Sequence, residues 1–435
     1  MKRAISIICV ICMMVGLLAG CGKNKNSNSE GGINGEITFC TWGSEQEIDM
    51  DQELCDLFME QNPGTKVNLE VINSDYTTTI ETRFLGGQAP DVIYGHPRTF
   101  LPWVESGMLM DLTDLYEKHP EWMDESVWNT ELYEAFNIDG KYYGIINGAD
   151  VFVLYYNKTM CDEAGVGYPD ESWTWDQLLE WGAALTKENG DGTPKQFGLY
   201  VDESGYYGLL AYIYANGGSV FDDVNNPTEV TFYSEETVQI LQQYHDKIYK
   251  YESVPKGDDW SYITGGFVSQ EVASYVSGVY DSVFLSGIED FEWDMTLLPQ
   301  NENSRVPALY AGYSVCADTK NPELAKAFVE FMMTDEAQKI LGKTGLITVA
   351  NREIASSEEI LNYEGATEHN YIRYEAMEKA VNMDPMLNSW VQMIYEVIQD
   401  RMYYLGEDEI TAEQCAKEIQ EGLEKLLVEE LAARK

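Results

Sequence analysis

The sequence predicts an α/β protein in which a parallel sheet is covered by helices. Residues 36–95 follow the order βαβαβ, and the alternation resumes over 141–250 and again after Pro299. Units of this kind build parallel sheets with helical layers. The chain has 435 residues, 44% of them hydrophobic, enough for a sizeable core and two or three domains.

Each element carries its own signal. EITFCTW (36–42) alternates apolar and polar residues as a strand does, and TKVNLEVIN (65–73) and PDVIYG (90–95) supply two more. EIDMDQELCDLFMEQNPG (47–64) has helical spacing and stops at Asn-Pro-Gly, and YTTTIETRFLGGQ (76–88) is a helix closed by Gly-Gly. KYYGIINGADVFVLYYNKTM (141–160) holds a long apolar strand, with a crossing point near Asn147–Ala149. TWDQLLEWGAALTKEN (174–189) is a helix capped by Thr174, and YYGLLAYIYANGGSVFDD (206–223) is an apolar helix ended by Gly-Gly. Ser234 opens a helix over 234–250 with a capping-box pattern. Residues 308–345 read as strand, turn and two helices, and about 368–432 as acidic helix with a break at YLGEDEIT. No fixed-period repeat is visible, which excludes solenoids and propellers.

Charge excludes some partners. Lys and Arg total 28 against 74 Asp and Glu, a net charge of −46. Nucleic acid demands a basic footprint, and anionic lipid surfaces attract Lys and Arg. No nucleic-acid partner is expected, and the acidic balance reads as a well-solvated surface.

The N-terminus reads as a targeting segment. Lys2 and Arg3 precede an apolar run, 4–20, that is short for a spanning helix. Leu18-Ala19-Gly20-Cys21 looks like a bacterial lipobox, so 1–20 is expected to be a lipoprotein signal peptide and Cys21 the lipidated first residue. Two acyl chains suffice for stable anchoring where one is marginal. Residues 21–35 then form a polar tether, with a reach of roughly 20 Å by random-coil scaling. Cys40, Cys55, Cys161, Cys316 and Cys415 are scattered, without a CxxC pair or a zinc-ligand spacing, and read mostly as buried free thiols with one disulfide possible. Asp191-Gly192 lacks the ligand spacing of an EF-hand and reads as a tight turn. No metal is expected.

Chemistry-bearing motifs point away from catalysis. No nucleophile elbow, Walker loop, dinucleotide fingerprint or zincin helix occurs, so no cofactor and no catalytic residue is assigned. Acidic residues are too abundant for any carboxylate pair to identify a glycosidase. Aromatic residues instead gather beside turn residues, at strand ends and helix starts: Trp42, Tyr94, Tyr206, Tyr207, Trp260, Tyr280, Tyr310, Tyr313 and Trp390. Any one of these by itself is ordinary core. As a set they suit a sugar, whose C–H faces pack on rings and whose hydroxyls need polar partners. Asp91, just before an apolar strand, reads as a buried structural carboxylate.

ITFCTWGSEQE, GGQAPDVIYGHPRTFLPWVESGMLMDLTDL (86–115), YGIINGADVFVLYYNKTMCDEAGV (143–166), TWDQLLEWGAALT (174–186), LAYIYANGG (210–218), ASYVSGVYDS (273–282) and AGYSVCADTKNPELAKAFVEFMMTDEAQKIL (311–341) carry a resemblance over essentially the whole mature chain. In that order and spacing, behind a lipobox, the sequence resembles the extracellular solute-binding proteins of ABC importers. The branch is the one that takes up oligosaccharides and includes the maltodextrin-binding proteins. The resemblance implies the type II periplasmic-binding-protein-like fold: two α/β lobes, a hinge and a ligand cleft between the lobes. The expected division is 36–148 with 306–349 as the first lobe, and 149–305 with 350–435 as the second. Crossings are expected near 147–150, 300–306 and 348–352.

The resemblance also places a site. Trp42, Glu45 and Gln46 follow the first strand, and His96 and Arg98 follow PDVIY. Asp150 sits in the crossing and matches a carboxylate that bonds sugar hydroxyls. Tyr207, Trp260, Tyr280, Tyr310, Tyr313 and Trp390 complete the expected ligand-binding set. The implied protein is a monomer, lipid-anchored on the outer face of a Gram-positive type cell membrane. It would capture a carbohydrate and deliver it to membrane permease subunits of an importer. Two alternatives remain: a surface-anchored glycan-active enzyme, and a ligand sensor without transport.

Overall fold

The computed structural model describes residues 33–188, 194–200, 206–254, 264–363 and 365–434. The opening alternation becomes β1 (Gly35–Thr41), α1 (Glu45–Gln61), β2 (Thr65–Val71), α2 (Tyr76–Leu85) and β3 (Val92–Gly95), followed by α3 (Pro97–Glu105). β2 and β3 flank β1, and both run parallel to it. Ser44 starts α1: its hydroxyl accepts the Glu47 amide, while the Glu47 carboxylate accepts the Ser44 amide at 2.6 Å. This reciprocal box satisfies two otherwise orphaned amides. Asp91 is structural, as the sequence indicates: its carboxylate accepts the Thr38 amide at 2.8 Å.

The next elements are β4 (Ile145–Asn157), α4 (Trp175–Leu185), α5 (Tyr206–Ala215), α6 (Glu235–Tyr249), β5 (Ser274–Gly278) and β6 (Trp293–Thr296). β7 (Val306–Val315), α7 (Pro322–Phe331), α8 (Asp335–Lys343), β8 (Thr348–Val349), β9 (Ala380–Asn382) and α9 (Ala412–Ala433) follow. Among the described residues one sheet holds nine strands, with the path β6-β4-β7-β3-β1-β2. β4 joins its two halves. Ile145–Val151 pairs antiparallel with β7, and Phe152–Asn157 pairs with β5 and β6. β8 lies along β4 at Gly148 and Ala149, and β9 runs parallel to the start of β7.

Two hydrophobic cores result. The first is built on Phe39, Leu54, Phe58, Ile93, Trp103, Phe328 and Leu341, and reaches along β4 through Val151, Val153 and Tyr155. The second gathers Leu154 and Tyr156 from the other face of β4 with Leu210, Leu241, Ile398 and Leu423 from the surrounding helices. One strand thus feeds both cores, because its successive side chains point to opposite faces. All five later cysteines are buried, free thiols.

The apolar helix that the sequence ends at Gly-Gly runs from Tyr206 to Ala215, and Gly217 behind it adopts a φ of +85°. The structure departs from the sequence pattern in the C-terminal region, expected to be helical from about 368, where β9 intervenes. The stretch after 350 contributes Ile354, Ile360, Ala376 and Met377 to the first core, and its short helices Arg352–Ala355 and Glu358–Leu361 pack back on α8.

Gly148 is required by this crossing. A Cβ there would sit 2.2 Å from the Thr348 carbonyl oxygen. Gly148→Ala is expected to lower stability by about 1–3 kcal/mol, measured as a fall in urea unfolding free energy with an unchanged slope.

Candidate functional site

A cavity of about 460 Å³ opens where β1, β2 and β3 end, at the starts of α2 and α3. That is the size range of small-molecule sites, and its place beyond the carboxyl ends of parallel strands is where such sheets bind ligands. One wall is aromatic. Trp42 packs against Tyr76, Tyr94 and His96 with centroids 4.6, 4.8 and 5.3 Å away. Tyr76 is fixed by its hydroxyl, which donates to the carbonyls of Cys40 and Tyr94 at 3.0 and 2.9 Å. Asn73 is held by the Gly43 amide, which donates to its Oδ1 at 2.9 Å. Gly95 leaves room behind this wall: a Cβ there would lie 2.3 Å from the Phe100 ring.

His96 and Arg98 form the polar rim. His96 Nδ1 lies 2.9 Å from the Tyr310 carbonyl. A carbonyl only accepts, so Nδ1 carries the proton and Nε2 is left as an acceptor. Burial, together with the Arg98 charge, lowers the imidazole to about 4, so it is neutral at ordinary pH. Arg98 Nη1 donates to Asp384 Oδ2 at 3.0 Å and to the Tyr207 hydroxyl at 3.1 Å. Asp384 is almost fully buried, beside Met383 and Leu387 of the second core. Tyr207, at the start of α5, also stacks on Phe152 of β4 at 6.0 Å. Arg98, from the first lobe's α3, therefore ties to two groups at the second core.

Asp150 lies on β4 at the crossing. Its Oδ1 is buried and has no hydrogen-bond partner among the described residues. Burial raises this carboxyl well above the usual carboxylate range; the Glu47 charge adds to the rise and Arg373 opposes it. The Tyr280 phenol is raised chiefly by burial, with Asp281, Asp150 and Tyr207 also acting on it, which places these groups together. Tyr94 donates nothing to Asp150; its hydroxyl accepts from Asn147 Nδ2 at 3.2 Å.

The structure thus brings together Trp42, His96, Arg98, Asp150, Tyr207 and Tyr280. It sets others apart. Glu45 and Gln46 are exposed on the first turn of α1, and Glu47 is the residue turned inward by the capping box. Tyr313 is enclosed between Phe39 and Tyr94, at 5.7 and 5.3 Å, and supports the wall from behind. Tyr310 gives the site its carbonyl, while its side chain lines a different cavity. Trp390 is 1% exposed and packs on Phe221 within the second core. Trp260 lies outside the described residues. Tyr76, Asn73, Asp384 and Glu47 were not singled out from the sequence. Ser44-x-x-Glu47 was a legible signal for the last.

The family model for bacterial extracellular solute-binding protein matches residues 43–339. The chain belongs to this family. Its members are binding proteins rather than enzymes, and they act outside the cytoplasm. A galactooligosaccharide-binding protein of Bacillus subtilis is 23% identical over 378 residues, covering 82% of this chain and 83% of that one. An arabinooligosaccharide-binding protein of Halalkalibacterium halodurans is 25% identical over 320 residues, covering 69% and 68%. The solved ABC substrate-binding protein of Listeria monocytogenes in complex with cycloalternan is 27% identical and superimposes with a TM-score of 0.74, covering 90% and 98%. The fold is the two-lobed type II periplasmic-binding-protein-like one, with a hinge and an interlobe cleft.

Two outcomes follow for this solute-binding protein. Arg98→Met removes the ion pair with buried Asp384 and is expected to cost about 3 kcal/mol in chemical denaturation. The low value at His96 means that protonation is resisted only in the folded state. The associated stability is fully present above pH 6.5 and is lost as pH falls toward about 4. His96→Gln removes that component, so unfolding midpoints of the variant should fall less than the parent's between those pH values.

Proposed function

We propose that this protein captures a carbohydrate, an oligosaccharide by preference, in the interlobe cleft and delivers it to an ABC importer. The observation that carries this is Asp150: a buried carboxyl with an unpartnered oxygen, beside an aromatic wall, at the strand that joins the lobes. A sugar supplies hydroxyl donors to such an oxygen and C–H faces to Trp42 and Tyr280. The neutral His96 Nε2 accepts a further hydroxyl. The relatives named above bind oligosaccharides by their descriptions, which supports this class. Ligand contacts to both lobes favour the closed arrangement by shifting an open–closed equilibrium. The closed form then docks on permease subunits.

The lobes are proposed to divide at the three crossings, near 147–150, 300–306 and 348–352, so each is built from separate stretches of chain. The protein is proposed to work as a monomer, held on the outer face of the cell membrane by a lipid on Cys21. Among the described residues no helix is long and apolar enough to cross a membrane.

A thermal-shift screen of residues 36–435 against mono- and oligosaccharides tests the ligand class, because a ligand bound only to the folded state raises its melting temperature. A rise with one or more oligosaccharides is expected; a rise with peptides alone would overturn the assignment. Asp150→Asn should weaken that sugar roughly 3- to 10-fold, the size of one neutral hydrogen bond. Cys21→Ser should release the protein from the membrane fraction without altering sugar binding.

A further inference from the structure

Two polar side chains of α3 reach the second lobe. Arg98 and Glu105 are seven residues apart, two turns of helix, so they lie on one face. Arg98 borders the cleft cavity and bonds Asp384 at 3.0 Å. Glu105 Oε2 accepts Asn388 Nδ2 at 2.9 Å. Both partners sit on one short segment, 383–389. Met383 and Leu387 of this strap belong to the second core, whereas Phe100 and Trp103 of α3 belong to the first. The strap therefore holds the first lobe at both ends of α3.

Local sequence shapes one end of the strap. Asn382 Oδ1 accepts the Asp384 amide at 3.0 Å, and its Nδ2 donates to the Asp384 carbonyl at 2.8 Å. Asn readily closes such turns on its own backbone, and Pro385 fixes φ at the next position. The last turns of α9 grip the other end. Glu430 is 9% exposed. Its Oε1 accepts the Asn388 amide at 2.8 Å and Arg434 Nη2 at 2.6 Å. Its Oε2 accepts the Ser389 amide at 2.9 Å and the Ser389 hydroxyl. Arg434 Nη2 also donates to the Met386 carbonyl at 2.8 Å. Burying a carboxylate is unfavourable unless donors surround it, and here four do. A continuous set of hydrogen bonds thus runs from the C-terminal end of α9, through the strap, to the guanidinium at the cleft rim.

We propose that Glu430 and Arg434 are positioning residues for ligand capture. Neither lines the cleft cavity. They set the strap, whose Asp384 orients Arg98 and whose Asn388 fastens α3 to the second lobe. The inference rests on capture between the lobes as proposed above. Glutamine at 430 would turn an NH2 group, which accepts nothing, toward donors of the strap. The strap then loosens and the lobes part more readily.

Spin labels at Glu60→Cys on α1 and Glu421→Cys on α9 report the distance between the lobes without sugar. Glu430→Gln is expected to move this distribution toward longer distances. Asn388→Ala, which removes an exposed contact only, is expected to do the same. Added to Asn388→Ala, Glu430→Gln should move it less than on its own, since both act through the strap. Glu429→Gln removes the same charge from the neighbouring, exposed side chain and should move nothing. Glu430→Gln should also weaken, about 3- to 10-fold, whichever oligosaccharide raises the melting temperature in the screen above. If no sugar raises it, the capture reading fails and the distances still decide the role of the strap. Parent-like distances in both Glu430→Gln and Asn388→Ala, or equal shifts from Glu429→Gln and Glu430→Gln, would overturn the proposal.

Discussion

The pairing of Ile145–Val151 with Ala308–Tyr313 is the constraint on which the rest of the structure depends. It carries the chain between the two lobes and fixes which side chains face the cleft. It also places a carboxyl, Asp150, on the strand that pairs with both halves of the sheet. The backbones approach so closely there that Gly148 admits no side chain. The second half of β4 is already committed to β5 and β6, so the same strand that closes the first lobe begins the second.

The electrostatics of the cleft differ from those of the surface. The chain carries a net charge of −46, yet the cavity rim is close to neutral. Arg98 is matched by Asp384, and His96 is kept uncharged by burial and by Arg98. Burial favours the protonated form of Asp150. Such a rim offers donors and acceptors without a strong field, which suits hydroxyl-rich neutral ligands. The Arg98–Asp384–Tyr207 contact adds a link between the lobes that is independent of the strands.

Much of this was legible in the sequence, for identifiable reasons. The βαβαβ opening carries its own periodicity and stop signals, so it folds as read. The resemblance placed Trp42, His96 and Arg98 just after the first and third strands, at the ends beyond which such sheets bind ligands. Tyr310 and Tyr313 were not separable from true platform residues, because facing depends on register. The irregularity between Ala311 and Gly312 shifts the alternation there. Trp390 opens a helix whose inner face meets Phe221, a contact with no local signature. Asp384 was invisible for the same reason: its partner Arg98 is 286 positions away. Glu45 and Gln46 stood nearest the strand, but the capping box turns Glu47 inward instead.

The central claim is that the two lobes close on a sugar about the crossing strands. Spin labels at two exposed positions, Glu60→Cys on α1 and Glu421→Cys on α9, report the distance between them directly. The native cysteines among the described residues are buried and will not compete for label. The account predicts that an oligosaccharide which raises the melting temperature also narrows the distance distribution and moves it to one closed population. An unchanged distribution in the presence of that same stabilising sugar would contradict it.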